Sequence, residues 1–495
     1  MAYVVALDAG TTGVRAMAVT HSGQITAIKY REFTQHFPNP GWVEHDLDEI
    51  WEQITVVIEE LAAELDQPVV AIGITNQRET VAAWDRRTSA PLHRGIVWQD
   101  RRTADVCDRL EADGNLPLVR RATGLVLDPY FSGTKFAWLL EHGGVPADEH
   151  LALGTIDTWL IWKLTGGAAH VTEPSNASRT MLFDIRSLTW SSELCELLGV
   201  PIDALPEVRP TSGRFAVTAD TTALGAGIPI SGVAGDQQAA LFGQACFEPG
   251  MTKNTYGTGS FLLMNVGQEC PEPVDGLLTT VAWTLGPDQP ASYAYEGAIF
   301  VTGAAIQWLR DGLDIIDDAA EIGPLAASVA DTGDVFVVPA FAGLGSPWWD
   351  PYARGAILGL TRGTGKAELA RAVVESMAYQ TRDVADAMTA ASGQALTELR
   401  VDGGASVMDL LLQFQADQLG VTVSRPTNQE TTALGAAYLA GLAEGFWDSP
   451  EAVNAGWAID RQYAPASDRT EADRLHGRWI EAVGRSRGWA SGDGA

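Results

Sequence analysis

Leu7-Asp8-Ala9-Gly10-Thr11-Thr12-Gly13 leaves one short apolar run, residues 4–7, and enters a second, residues 14–20. Half a chain later Tyr256-Gly257-Thr258-Gly259-Ser260 makes the same move, between a strand over 252–256 and a return strand over 261–266. Glycine adopts φ > 0 at little cost, small residues let the backbone approach an anion, and N–H groups with threonine hydroxyls supply donors. Two such turns read as two halves facing one phosphate chain, with a nucleotide cleft between two domains.

Outward from the first turn, His21-Ser22-Gly23-Gln24 joins the second run to a strand over 25–30. Residues 46–65 then carry Ile50, Ile54, Val57, Ile58, Leu61 and Leu65 on one helical stripe opened by acidic residues. A strand over 69–74 follows. Sheet, helix and sheet again is an α/β pattern. After Glu248-Pro249-Gly250 the programme restarts, which divides the chain into 1–248 and 249–495. The second part predicts a helix over 304–309, a strand over 335–339 and a helix from 368 to about 388. A strand over 399–401 ends in Asp402-Gly403-Gly404 and precedes a helix over 408–419. The tail Ser491-Gly492-Asp493-Gly494-Ala495 reads as a frayed end.

With 495 residues, 46% hydrophobic and 19% charged, the chain exceeds one ordinary domain. Its net charge of −30 is spread along the sequence, which argues against nucleic acid or an anionic membrane as partner. An anionic substrate must therefore meet local positive charge or a metal ion. Lys29, Lys135, Lys163, Lys253 and Lys366 are all the lysines, so arginine carries most of that charge. Cys107, Cys195, Cys246 and Cys270 lie far apart without a CxxC pair, as suits buried free thiols in a reducing compartment. The first residues lack a basic leader segment, and no apolar run approaches membrane-spanning length. A cytoplasmic protein is the expectation.

A P-loop is excluded: Gly365-Lys366 is followed by Ala367, and Leu360 stands where the first glycine should be. Backbone amides, the hydroxyls of Thr11, Thr12 and Thr258, Arg15 and a divalent ion must handle phosphate instead. Asp8 at a strand end suits Mg²⁺ held through water, or equally an Asx turn. Asp236 suits an N-cap, or a general base taking a proton from an alcohol. Arg78-Glu79 offers a donor fork beside an acceptor, fit for adjacent hydroxyls of a polyol, or else a surface ion pair or helix cap. Trp98, Tyr130 and Phe261 read as walls for a polyol's carbon chain, or as plain core. The eight histidines, His36, His45, His142 and His150 among them, show no metal spacing and read as structural or surface residues.

At this point the chain resembles the FGGY carbohydrate kinases, and most closely their glycerol-phosphorylating members. The segments that carry the resemblance run through almost the whole sequence. They include Leu7-Asp8-Ala9-Gly10-Thr11-Thr12, Pro40-Gly41-Trp42-Val43-Glu44-His45-Asp46, Gly73-Ile74-Thr75-Asn76-Gln77-Arg78-Glu79-Thr80 and Asp128-Pro129-Tyr130-Phe131-Ser132-Gly133-Thr134-Lys135. Later ones are Ser175-Asn176-Ala177-Ser178-Arg179-Thr180-Met181, Gly235-Asp236-Gln237-Gln238-Ala239-Ala240, Asn254-Thr255-Tyr256-Gly257-Thr258-Gly259 and Gly343-Leu344-Gly345-Ser346-Pro347.

The resemblance implies two actin-like, ribonuclease H-like domains with ATP, Mg²⁺ and glycerol meeting between them. It implies Asp236 as the base, and Arg78, Glu79, Trp98, Tyr130, Asp236, Gln237 and Phe261 around glycerol. Thr11, Thr12, Gly13, Arg15, Thr258, Gly303, Gln307, Gly404 and Met408 fall at nucleotide positions, with Asp8 and Asp236 at the metal. By family analogy it also implies a homo-dimer or homo-tetramer. A kinase of another small polyol or sugar, such as erythritol or xylulose, is the alternative reading.

Three departures stand out. Gly13 replaces a common serine, and Met408 replaces an asparagine that usually contacts adenine. Residues 222–228 lack the arginine-bearing loop through which some members bind fructose 1,6-bisphosphate, so weak or absent inhibition by that effector is expected. Residues 465–468 likewise depart from the loop that some bacterial members offer to a sugar-transport regulator, and that partner is not expected.

Overall fold

A computed structural model describes residues 2–466 and 468–490, so the tail 491–495, expected to be frayed, lies outside the described residues. Six strands form the first sheet in the order Ser212–Val217, Pro229–Gly235, Val69–Asn76, Tyr3–Ala9, Gly13–Val19, Ile25–Glu32. Tyr3–Ala9 runs antiparallel to Gly13–Val19, which runs antiparallel to Ile25–Glu32. Val69–Asn76 is parallel to Tyr3–Ala9, and Pro229–Gly235 is parallel to it in turn.

The second sheet repeats the plan. Ser292–Ile299, Ser260–Gly267, Met251–Tyr256, Glu398–Gly403 and Thr422–Pro426 lie side by side, flanked by Leu278–Trp283 and Ile459–Tyr463. Met251–Tyr256, Glu398–Gly403 and Thr422–Pro426 are parallel, and the pairings on either side of that trio are antiparallel. With the strands Ser212–Val217, Leu278–Trp283 and Ile459–Tyr463 set aside and the remaining five of each sheet numbered in chain order, both sheets read 3-2-1-4-5, the order of a ribonuclease H-like unit. The fold is two actin-like units. In both, the Gly/Thr turn connects the first two strands, so each loop emerges at the carboxyl edge of the parallel strands, where open α/β sheets bind ligands.

The helix Leu47–Ala62 buries Leu47, Ile50, Ile54, Val57, Ile58 and Leu61 on the first sheet, and its N-cap Asp46 accepts hydrogen bonds from the N–H groups of Asp48 and Glu49. A smaller five-stranded sheet, which the sequence reading did not place, runs Gln35–His36, Glu44–His45, Gly95–Ile96, Val81–Asp85, Leu151–Thr155. On the second sheet the helices Lys366–Ser392 and Asp409–Leu419 pack over Leu399, Val401 and Val423.

Between the two sheets lie the helices Asp236–Gly243 and Thr431–Ala443. They cross backbone to backbone. A Cβ at Gly435 would fall 1.8 Å from the Ala239 carbonyl oxygen, and one at Gly243 would fall 1.9 Å from that of Thr431. Only glycine permits that approach. The helix that begins at Asp236 is thereby locked to an element from the other half of the chain.

Among the described residues no helix is long and apolar enough to cross a membrane. The four cysteines are free; Cys107, Cys195 and Cys246 are buried and Cys270 is half-buried.

Candidate active site

Three of the first sheet's parallel strands end in the residues singled out above. Tyr3–Ala9 delivers Asp8 and the loop Gly10–Thr12, Val69–Asn76 delivers Arg78 and Glu79, and Pro229–Gly235 delivers Asp236. Asp236 is the first residue of its helix, and the N-cap position belongs to Gly235. Its Oδ1 accepts the Gln237 N–H at 2.8 Å and lies 3.3 Å from Arg78 Nε. Its Oδ2 accepts from Gln237 Nε2 at 3.2 Å, and one third of the side chain is exposed.

Arg78 and Glu79 are not a surface pair: each side chain is 2% exposed. Arg78 donates to Glu296 through both terminal nitrogens, at 2.5 and 3.0 Å, and further to Gln238 Oε1 and the Tyr130 hydroxyl. Arg179 donates to Glu79 at 2.7 Å and to Glu296 at 2.9 Å. Two guanidinium groups and two carboxylates thus alternate inside the protein, the arrangement that keeps buried charges tolerable. Burial pushes the Glu296 carboxyl up, but Arg179 and Arg78 outweigh it and hold it down at about 2. Burial raises Glu79 against the pull of Arg78 and Arg179, and lifts the Tyr130 phenol well above its usual range.

Glu79 has φ 61°, left-handed for a residue with a Cβ, and Thr80 N–H reaches back to the Arg78 carbonyl at 2.7 Å. A tight three-residue turn of this kind is strained and persists only where its surroundings hold it. Here the holders are Arg179 on the carboxylate and Ser132, whose hydroxyl donates to the Glu79 carbonyl at 3.0 Å. Trp98 and Tyr130 meet edge to face at 5.7 Å, and Phe261 packs against the cluster containing Ala239 and Leu241.

The first loop is held from behind. Gln77 Nε2 donates to the Gly10 carbonyl at 3.0 Å and Gln35 Nε2 to the Thr11 carbonyl at 2.9 Å. His45 joins the two glutamines, at 3.2 Å to Gln77 Nε2 and 2.6 Å to Gln35 Oε1. Burial pushes its imidazole down to about 3, so it stays neutral, accepting from Gln77 on Nδ1 and donating to Gln35 from Nε2. His45 is therefore structural, as read, and it organises the loop. Thr11 Oγ1 accepts from Trp98 Nε1 at 3.0 Å, while Thr12 is exposed. The serine missing at position 13 has a physical reason. A Cβ there would meet the Arg31 carbonyl at 2.5 Å and the Tyr30 ring at 2.6 Å.

Asp8 faces Arg15 across the hairpin, and Arg15 pairs with Glu430 at 2.6 Å. Among the described residues no donor is hydrogen-bonded to the Asp8 carboxylate. Burial raises Asp8 to about 7; Arg15 opposes that shift, while Asp236 and Glu430 add to it. An oxygen donor short of positive charge beside two further carboxylates suits a hydrated divalent cation. No cluster of three or more His, Cys, Asp or Glu side chains forms a closed cage among the described residues, so such an ion would keep water and phosphate oxygens as ligands.

The second half contributes a cavity of 720 Å³ lined by Thr258, Gly303, Gln307, Gly404 and Met408. The five nucleotide positions predicted in this half converge on one space, whose remaining wall is largely apolar, with Ile306, Ile322 and Pro324 in it. Gly257 and Thr258 carbonyls accept from Gly303, Thr302 and Ala304 N–H groups, and a Cβ at Gly303 would lie 2.5 Å from the Gly257 carbonyl. The loop and the start of the helix Gly303–Asp311 are thus one packed unit.

Sequence reasoning gave no role to Glu296, Arg179, Lys253 or Glu430. Arg179 sits in a quoted motif, and Lys253, one of five lysines, lies in the strand leading to the second loop. Glu296 and Glu430 carry no local signal, since their partners Arg78 and Arg15 are 218 and 415 residues away.

Residues 3–243 match the FGGY family of carbohydrate kinases, N-terminal domain, and residues 252–444 match the FGGY family of carbohydrate kinases, C-terminal domain. The glycerol kinase of Carboxydothermus hydrogenoformans is 56% identical, covering 98% of this chain and 98% of its own length. Glycerol kinase 2 of Thermotoga maritima is 54% identical over 99% of each chain. The crystal structure of Plasmodium falciparum glycerol kinase with ADP superposes with a TM-score of 0.93 at 33% identity, covering 98% of both chains. A ligand-bound xylulose kinase from Lactobacillus acidophilus shares the fold, with a TM-score of 0.87 at 22% identity and 98% coverage of each.

Proposed function

The chain belongs to the FGGY family of carbohydrate kinases, and on that premise we propose that it transfers the γ-phosphoryl group of ATP to glycerol, giving sn-glycerol 3-phosphate and ADP. The observation that carries this reading is the cluster around Asp236. A carboxylate one-third exposed stands at a strand end among an otherwise buried set of hydroxyl-binding groups, Arg78, Glu79 and Gln237. The full-length likeness to glycerol kinases supports the choice of substrate.

In this mechanism Arg78, Glu79, Gln237 and Tyr130 orient the three hydroxyls, and Trp98 and Phe261 border the carbon chain. Asp236 takes the proton from a primary hydroxyl, and that oxygen attacks the γ-phosphorus in line with the departing ADP oxygen. Hydroxyl-specific hydrogen bonds, not buried area, set specificity for so small a substrate. The nucleoside enters the cavity at Gly303, Gln307, Gly404 and Met408, and the loops at Thr11, Thr12, Gly13 and Thr258, with Arg15, face its phosphates. Asp8, with Asp236, would hold Mg²⁺, which supplies neutralisation of phosphate charge when bound. Positioning and electrostatics then account for most of the rate.

The same membership supports the further proposals of a domain boundary at 248/249, a cytoplasmic location and a dimer or tetramer. The deciding experiment is coupled ADP release across glycerol, dihydroxyacetone, erythritol and xylulose, with and without Mg²⁺. Highest kcat/KM with glycerol and dependence on Mg²⁺ are expected; preference for a larger carbohydrate would overturn the substrate.

A further inference from the structure

Each oxygen of Asp236 is fixed by a neighbour from its own half of the chain, and each neighbour is fixed in turn by a buried charge from the other half. Arg78, beside Oδ1, is gripped by Glu296 on Ser292–Ile299. Gln237, whose Nε2 donates to Oδ2, has its Oε1 engaged by Lys253 Nζ on Met251–Tyr256. One strand, Ser260–Gly267, separates the two anchoring strands.

The lysine end of this arrangement does something that packing alone does not require. A side-chain amide can present either its oxygen or its NH₂ to a neighbour, and Asp236 needs the NH₂. An ammonium has donors only, so the amide oxygen must face Lys253 and the NH₂ must face the carboxylate. Lys253 is fully buried; its other hydrogen bond goes to Thr255 Oγ1 at 3.0 Å. The charged groups around it are Asp402, Asp236, Arg78 and Glu296, drawn from both halves. Burial lowers its pKa to about 8. A methionine would fill the same space without charging the interior.

We propose that Lys253 is a positioning residue for phosphoryl transfer, acting through Gln237 to fix the Asp236 carboxylate for proton abstraction. This rests on the reading of Asp236 as the base. Lys253 touches neither glycerol nor the carboxylate in this scheme. Its effect falls on kcat more than on the nucleotide KM, and it vanishes once the amide is gone.

The test is a double-mutant cycle on the full-length protein with Lys253→Met, Gln237→Ala and the pair, read as kcat with glycerol, the KM for ATP and calorimetric ADP binding. A misaligned general base costs roughly 10²-fold. Each single change is expected to lower kcat by about that factor while ADP binding stays as in the wild type, and the pair should be no slower than the slower single. Multiplying losses, or an unaltered kcat in Lys253→Met, would overturn the relay. Should Lys253→Met not fold, Gln237→Glu keeps a partner for the lysine but removes the donor to Asp236; a fall in kcat supports the relay and an unchanged kcat overturns it. Asp236→Asn run in parallel separates the two claims. An active Asp236→Asn refutes the base itself, whereas an inactive one beside multiplying losses refutes only the relay.

Discussion

The carboxyl edges of the two sheets have the same strand order and opposite interiors. The first is crowded with charge, Asp8, Arg78, Glu79 and Asp236, much of it buried and cross-linked. The second opens on a cavity walled by Ile306, Ile322, Pro324 and Met408. In the proposed mechanism one architecture serves both as a site for bond making and as a site for holding a flat apolar group, and the residues at the strand ends decide which. Disturbing the charged edge should stop chemistry, and disturbing the apolar edge should only loosen a ligand.

The largest break should come from Asp236→Asn. Loss of a general base predicts a fall in kcat on the order of 10³-fold with ADP affinity unchanged, measured by coupled ADP release and calorimetry. Next is Glu79→Gln, which leaves Arg179 with Glu296 as its one remaining carboxylate partner and weakens the grip on a substrate hydroxyl. Steady-state kinetics should give a KM for glycerol raised roughly 10²-fold.

Asp8→Asn sharpens the comparison through pH. Burial raises the folded pKa of Asp8 to about 7, against a usual value near 4, so between these limits the native state holds a proton the unfolded chain has released. The ligand-free wild type must lose stability as pH rises through that window, and the loss is complete above about 7. The asparagine variant lacks this loss. Its Tm should exceed that of the wild type by a few degrees at pH 8 and match it near pH 4, while its half-saturating Mg²⁺ concentration rises about tenfold. The smallest effect belongs to the apolar edge: Ile322→Ala should raise the KM for ATP about fivefold, near 1 kcal/mol, and leave kcat unchanged.

How much was legible in the sequence follows the same divide between local and distant. The two strands flanking each Gly/Thr loop, Tyr3–Ala9 with Gly13–Val19 and Met251–Tyr256 with Ser260–Gly267, were readable, because short apolar runs bounded by glycine and threonine are local signals. The helix Leu47–Ala62 was readable from its one apolar stripe. The helix Thr431–Ala443 was not, because it is buried on nearly every side and its sequence, TTALGAAYLAGLA, has no polar face to set a period. The strands Leu278–Trp283 and Ser292–Ile299 were passed over for a similar reason: with nearly every position buried, they alternate only weakly. Arg78, Glu79 and Asp236 could be picked out because charge at the end of an apolar run is visible locally. Glu296, Lys253 and Glu430 gain their meaning only from partners brought close by folding.

The proposed phosphoryl transfer turns on a carboxylate at position 236 accepting the proton of the attacking hydroxyl. The direct measurement is a crystal structure of the protein with glycerol and a non-hydrolysable ATP analogue. A terminal glycerol hydroxyl is expected about 2.6–3.2 Å from an Asp236 oxygen and in line with the γ-phosphorus. A hydroxyl aligned on the phosphorus but hydrogen-bonded to some other group, with Asp236 out of reach even through one water, would contradict it.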